Sequence, residues 1–150
     1  MNTRLSSLFA LAILLVAPLF GQSAVNVAGA SNVAVNGYDT VAFFTESKPV
    51  HGSLDYSAEY QGATYYFANA KHQKLFKANP ERYAPQCGGY CAYGASLGYI
   101  LPVDVNTWVI VDDKLYLNLN PDIAKAFGED LSGNIAKAQA KWPELAKSAR

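Results

Sequence analysis

The chain has 150 residues, with 12 lysines and arginines against 12 aspartates and glutamates. This balance excludes the basic excess that nucleic-acid binding needs, and no acidic run or low-complexity tract is present. An apolar share of 51% is enough for one domain that packs without disulfide staples, and the only soft-ligand side chains beyond Met1 are two cysteines and two histidines.

Residues 1–24 read as a secretory signal peptide. "MNTR" carries one positive charge, "LSSLFALAILLVAPLF" is an apolar core with Pro18 near its end, and small residues follow. The core is shorter than the roughly 20 residues of a membrane-spanning helix. Cleavage is expected after Ser23 or Ala24, with Ala28-Gly29-Ala30 as a later candidate. No cysteine follows the core, so a lipid anchor at this point is excluded. Cleavage removes Arg4 and Met1, leaving 11 basic and 12 acidic residues and no methionine. The expected location is the periplasm or the exterior, with no membrane span after cleavage. In that setting close thiol pairs tend to oxidise.

Residues 25–32 are expected to form a short mature N-terminal segment, 33–145 the domain, and 146–150 a tail. Val33 and Val35 alternate as in a short strand, Asn36-Gly37 turns the chain, and Tyr38 to Phe44 reads as a short helix with Asp39 in its first turn. "YSAEYQGATYYFAN" reads as a hairpin turning at Gln61-Gly62. Asn69 caps a helix over "AKHQKLFKAN" that Pro80 stops. The glycine-rich centre follows, with a short helix from near Tyr90 to before Gly98. "TWVIVDDKLYLNLN" is the clearest hairpin, turning at Asp112-Asp113-Lys114. Asn120-Pro121 starts a helix through Phe127, and "NIAKAQAKWPELAK" is an amphipathic helix expected to break near Pro143. Hairpins with helices between and after them predict an α+β fold: a small antiparallel sheet, short helices packed on it, and amphipathic helices at the C-terminus.

Several of these segments carry a family pattern. Tyr65-Tyr66-Phe67, then a short helix containing Phe76, then Asn79 to Tyr83 resemble the core of the YHS domain family. "VNGYDTVAFF", "GGYCAYGASLG", "WVIVDDKLYLNLN" and "IAKAQAKWPEL" extend the resemblance to the stand-alone exported branch, over about residues 33–145. In the metal-associated type of that family, one cysteine follows the Tyr-Tyr-Phe and a second lies four residues on. Here those positions hold Ala68 and His72, so one ligand is absent and the other is an imidazole. The stand-alone branch has a cysteine matching Cys91; Cys87 is a feature of this chain.

Three chemistries compete for these residues. Thiolate and imidazole donors suit copper or zinc, which makes Cys91 with His72 the ligand core, Cys87 a third donor and His51 a fourth. Alternatively, Gly88 and Gly89 permit the tight turn for a Cys87–Cys91 disulfide. Such a short loop contributes only about 2 kcal/mol and suits a redox switch. Thirdly, Tyr38, Tyr66, Tyr90 and Tyr93 could line a cleft beside Cys91 for a small organic ligand. Enzyme readings are weaker. "GASLG" spells a nucleophile elbow, but both histidines precede Ser96, and a Cys91–His72 dyad has no orienting third residue by spacing. The expected function is therefore a non-enzymatic binding or sensing module for copper or zinc. Its alternatives are a thiol-disulfide protein or a small-ligand domain.

Overall fold

The computed structural model describes residues 24–28 and 31–149. The fold is α+β. A four-stranded sheet has the order β1-β2-β4-β3, and β5 and β6 form a separate hairpin. Strands β1 (Val27–Ala28) and β2 (Val33–Ala34) are antiparallel. The contact of β2 with β4 (Ala63–Phe67) is parallel, pairing Val33 with Thr64. Strand β3 (Ser53–Tyr60) is antiparallel to β4, with a register shift between Ser53 and Ser57. The alternation along β4 puts Ala63, Tyr65 and Phe67 inside. There they meet Phe76 of α2 (Ala70–Ala78), whose ring centroid lies 4.7 Å from that of Tyr65 and 4.9 Å from that of Phe67.

The helices begin where short polar side chains can satisfy their free N–H groups. Asp39 caps α1 (Thr40–Thr45) and Asn69 caps α2. Asn79 caps α3 (Pro80–Tyr83), so Pro80 opens a new helix as well as closing the previous one. Cys91 caps α4 (Ala92–Leu97), and Gly98 ends it in the left-handed region at φ +96°. Asn120 caps α5 (Pro121–Glu129), and Asp130 caps α6 (Leu131–Leu145). The hairpin of β5 (Asp104–Val111) and β6 (Lys114–Asn118) packs against α4 and α5.

Three sequence expectations need correction. The domain begins before residue 33: Val25 is buried in the main core, and the Asn26 N–H donates to Gly88 O at 2.7 Å. The segment is thus stitched onto the glycine turn that holds Cys87. Val35 does not continue a strand but adopts φ +49°, at the start of a tight turn over Val35–Gly37. Helix α6 runs through Pro143 and ends two residues later, at Leu145. A proline so near the end costs one hydrogen bond without breaking the rod. The chain beyond it continues in hydrogen-bonded turns, and Ala149 is buried. The predicted signal peptide, residues 1–24, lies outside the described residues except for Ala24. Among the described residues no helix is long and apolar enough to cross a membrane.

Candidate functional site

The predicted ligand residues fall into separate neighbourhoods. His72, 4% exposed, points from α2 toward α1. Its Nδ1 lies 2.6 Å from Asp39 Oδ2 and its Nε2 3.1 Å from Thr45 Oγ1, with Glu46 Oε1 at 3.7 Å. Asp39 is fully buried and takes three further donors: the N–H groups of Val41 and Ala42 on Oδ1 and of Ala68 on Oδ2. Both imidazole nitrogens of His72 are therefore engaged in joining α1 to α2. His51 is exposed, forms a bridge with Tyr38 and stacks on its ring at a centroid distance of 4.0 Å.

The two cysteines sit elsewhere, as free thiols. Cys91 is buried at the head of α4. Its Sγ accepts from Gly94 N at 3.3 Å and donates toward Asn118 Oδ1 at 3.7 Å, while its backbone N–H donates to Leu101 O. Cys87 lies in a left-handed turn (φ +51°) and packs with Ala95, Ala138 and Trp142. Among the described residues no group of three or more His, Cys, Asp or Glu side chains is placed to hold a metal ion. The set Cys91, His72, Cys87 and His51 is thus not assembled into one donor shell, because each side chain is held by a different local partner.

Burial, and then the neighbouring Cys91, push the Cys87 thiol up to about 12. A thiol this reluctant to ionise is a poor nucleophile near neutral pH. The sign for stability follows from linkage. The folded state keeps the Cys87 proton while the unfolded chain releases it above the ordinary value of 9.0. The stability contributed by the neutral thiol is full below that value and is lost as pH rises toward about 12. Burial also raises Tyr65, which adds to the loss at higher pH. Urea midpoints should fall between pH 9 and 11, and should fall less in Cys87→Ala. Equal slopes for the two proteins would contradict this account.

The four tyrosines do not share one cleft. Tyr38 stacks on His51, with Tyr66 close to the neighbouring glycines at 37 and 52. Tyr90 faces Trp142, and Tyr93 packs beside Ala92, Tyr116 and Phe127. A concave site lies elsewhere. A cavity of about 380 Å³ lies between the β5–β6 hairpin and α5, walled by Trp108, Val109, Ala124, Phe127 and Leu131. It exists because the hairpin ladder is interrupted. Regular pairing breaks between Asp104↔Asn118 and Val109↔Tyr116. The Thr107 hydroxyl repairs the gap, accepting from Asn118 N at 3.1 Å and lying 2.6 Å from both Asp104 O and Asn118 O. The extra residues on β5 bend away from β6 and leave room for Asn106, Thr107 and Asn118 to enter the cavity wall. The opposite wall is fixed by Asn134, whose Nδ2 donates to Phe127 O at 3.0 Å.

Asn118 joins this cavity to Cys91. Its Oδ1 also accepts the Tyr93 N–H at 3.1 Å. No family model, no curated protein and no solved structure matches the chain.

Proposed function

We propose that this chain is an exported binding module for a small, largely apolar organic molecule, held between the β5–β6 hairpin and α5. The observation that carries the reading is the cavity itself: about 380 Å³, with a wall of Trp108, Val109, Ala124, Phe127 and Leu131 and a few polar groups on one side. Small-molecule sites are commonly concave, mostly apolar and largely formed in advance, with a small number of placed polar groups. The resemblance to the stand-alone exported YHS branch is compatible with a binding role and names no reaction. Binding of copper or zinc through Cys91, His72, Cys87 and His51 is less favoured, since His72 is committed to Asp39 and Thr45. Thiol-disulfide exchange is less favoured because burial holds Cys87 protonated.

The test is displacement of a neutral fluorescent probe, N-phenyl-1-naphthylamine, from the full chain. Wild type should bind it saturably. Ala124→Trp, which fills the cavity from the partly exposed face of α5, should weaken binding by about tenfold or more with little change in unfolding midpoint. Unchanged probe binding in Ala124→Trp would remove the cavity from the proposal.

A further inference from the structure

The polar floor of the cavity has a direction. Asn118 is 1% exposed, and the orientation of its amide is set by the protein. Tyr93 N–H can only face an acceptor, so the oxygen must be the atom 3.1 Å away, and the Cys91 thiol points at the same oxygen. The Asn118 nitrogen is then the free end. The hydrogen bonds of this residue run through Oδ1 and its backbone N–H and carbonyl, and among the described residues nothing accepts from Nδ2. Asn118 lines the cavity. Asn118 Nδ2 is not among the buried side-chain atoms left without a partner, which among the described residues are Thr40 Oγ1 alone, so its two donors open to the cavity. Thr107 does not take them, its hydroxyl being bonded to the backbone of Asp104 and Asn118.

Charge restricts the occupant further. Beyond Leu131, which it shares with the cavity, lies a second depression lined by Asp112, Glu129 and Asp130. Lys137 Nζ, 3.7 Å from Asp130 Oδ2, offsets one of the three carboxylates. These carboxylates disfavour an anionic ligand at that end.

We propose that the ligand carries a neutral hydrogen-bond acceptor, a carbonyl oxygen on an apolar body, which takes the side-chain N–H of Asn118. This rests on the binding reading above and adds the ligand's chemical class. The Cys91 thiol and the head of α4 act as positioning groups, because they hold the Asn118 oxygen away from the cavity and so present its nitrogen.

Three probes of one size test this on the full chain by NMR titration: acetophenone, ethylbenzene and benzoate. Affinities are compared after division by each neutral probe's water–octanol partition, which removes the difference in hydration. Acetophenone should then bind about tenfold tighter than ethylbenzene, and it alone should shift the Asn118 side-chain amide protons. Benzoate should bind at least about tenfold more weakly than acetophenone at low salt. In Asn118→Leu the normalised preference for acetophenone should vanish; if that variant does not fold, the wild-type comparison and the amide shift decide alone. Equal normalised affinities with an unmoved Asn118 amide would overturn the acceptor proposal and leave apolar binding standing. Benzoate binding as tightly as acetophenone would overturn the requirement for a neutral ligand. If none of the probes moves the resonances of Trp108 or Phe127, the binding reading itself fails.

Discussion

Asp39→Ala should be among the most damaging single substitutions in this protein, costing about 3–5 kcal/mol, the upper end for single substitutions, reached when a buried hydrogen-bond network is broken. The carboxylate is fully buried and receives four donors, from Val41, Ala42, Ala68 and His72. Alanine leaves the first turn of α1 uncapped, the Ala68 N–H unpaired at the β4–α2 junction, and the His72 ring without its Nδ1 partner. Against a typical total stability of about 5–15 kcal/mol, such a loss leaves a marginal fold. Asp39→Asn should be nearly as damaging. The amide oxygen can keep the cap, but its NH₂ would face the Ala68 N–H where Oδ2 now accepts at 2.8 Å. Switching the His72 tautomer could accommodate the ring but not that backbone donor. His72→Ala removes one partner of the four and should cost less, about 1–3 kcal/mol. The double variant Asp39→Ala/His72→Ala should be more stable than the sum of the two losses predicts. Urea unfolding of wild type and the four variants measures all of this; an Asp39→Ala protein within about 1 kcal/mol of wild type would refute the account.

The elements of the fold were largely legible because their signals are local. Asn69 and Asn120-Pro121 announce helix starts through short-range capping, and each does cap a helix. Pro80 announces only the stop of α2, whereas with Asn79 it also opens α3. The turns at Gln61-Gly62 and Asp112-Asp113 lie where polar residues interrupt alternating apolar runs. The site was much less legible. Composition suggested that His72 should meet Cys91, but what decides a histidine's role is its partner. That partner, Asp39, lies 33 residues away in sequence. The position of Asp39 before an apolar helix marked a first turn and gave no sign that its second oxygen reaches across to α2. Asn118 was also missed. It lies at the end of a hairpin strand, and nothing local shows that the ladder to β5 is interrupted beside it. The one available signal is weak: Thr107 and Asn118 are polar on a hairpin whose other buried positions, Val105, Leu115, Tyr116 and Leu117, are hydrophobic. Burial of Val25 could not be read either, since its core position depends on Asn26 meeting the distant Gly88 and Gly89.

Gly52→Ala should also destabilise strongly, by about 3 kcal/mol, the upper part of the usual range for overpacking. Backbone conformation is not the reason, because Gly52 does not need a positive φ. The reason is space. A Cβ at this position would lie 2.5 Å from Tyr66 O and 2.6 Å from Tyr66 Cβ. The obstacle includes main chain of β4, a strand paired on both sides, so it cannot rotate away as a side-chain tip would. Gly52 also donates its N–H to Gly37 O at 2.8 Å, beside the Tyr38–His51 bridge. Moving the segment outward to admit a methyl group would therefore lengthen that bond and separate the bridge. Gly128→Ala is the matched control. Its Cβ meets nothing within 4 Å, and replacing glycine inside α5 should raise stability by up to about 1 kcal/mol through helix propensity. Thermal unfolding of the pair should thus give midpoint shifts of opposite sign. His51 lies beside this crossing, exposed and against the Tyr38 ring, and among the described residues it joins no group of three or more His, Cys, Asp or Glu side chains placed to hold a metal ion. His51→Ala should therefore leave probe binding in the hairpin cavity unchanged within about twofold, while costing a few tenths of a kcal/mol in stability.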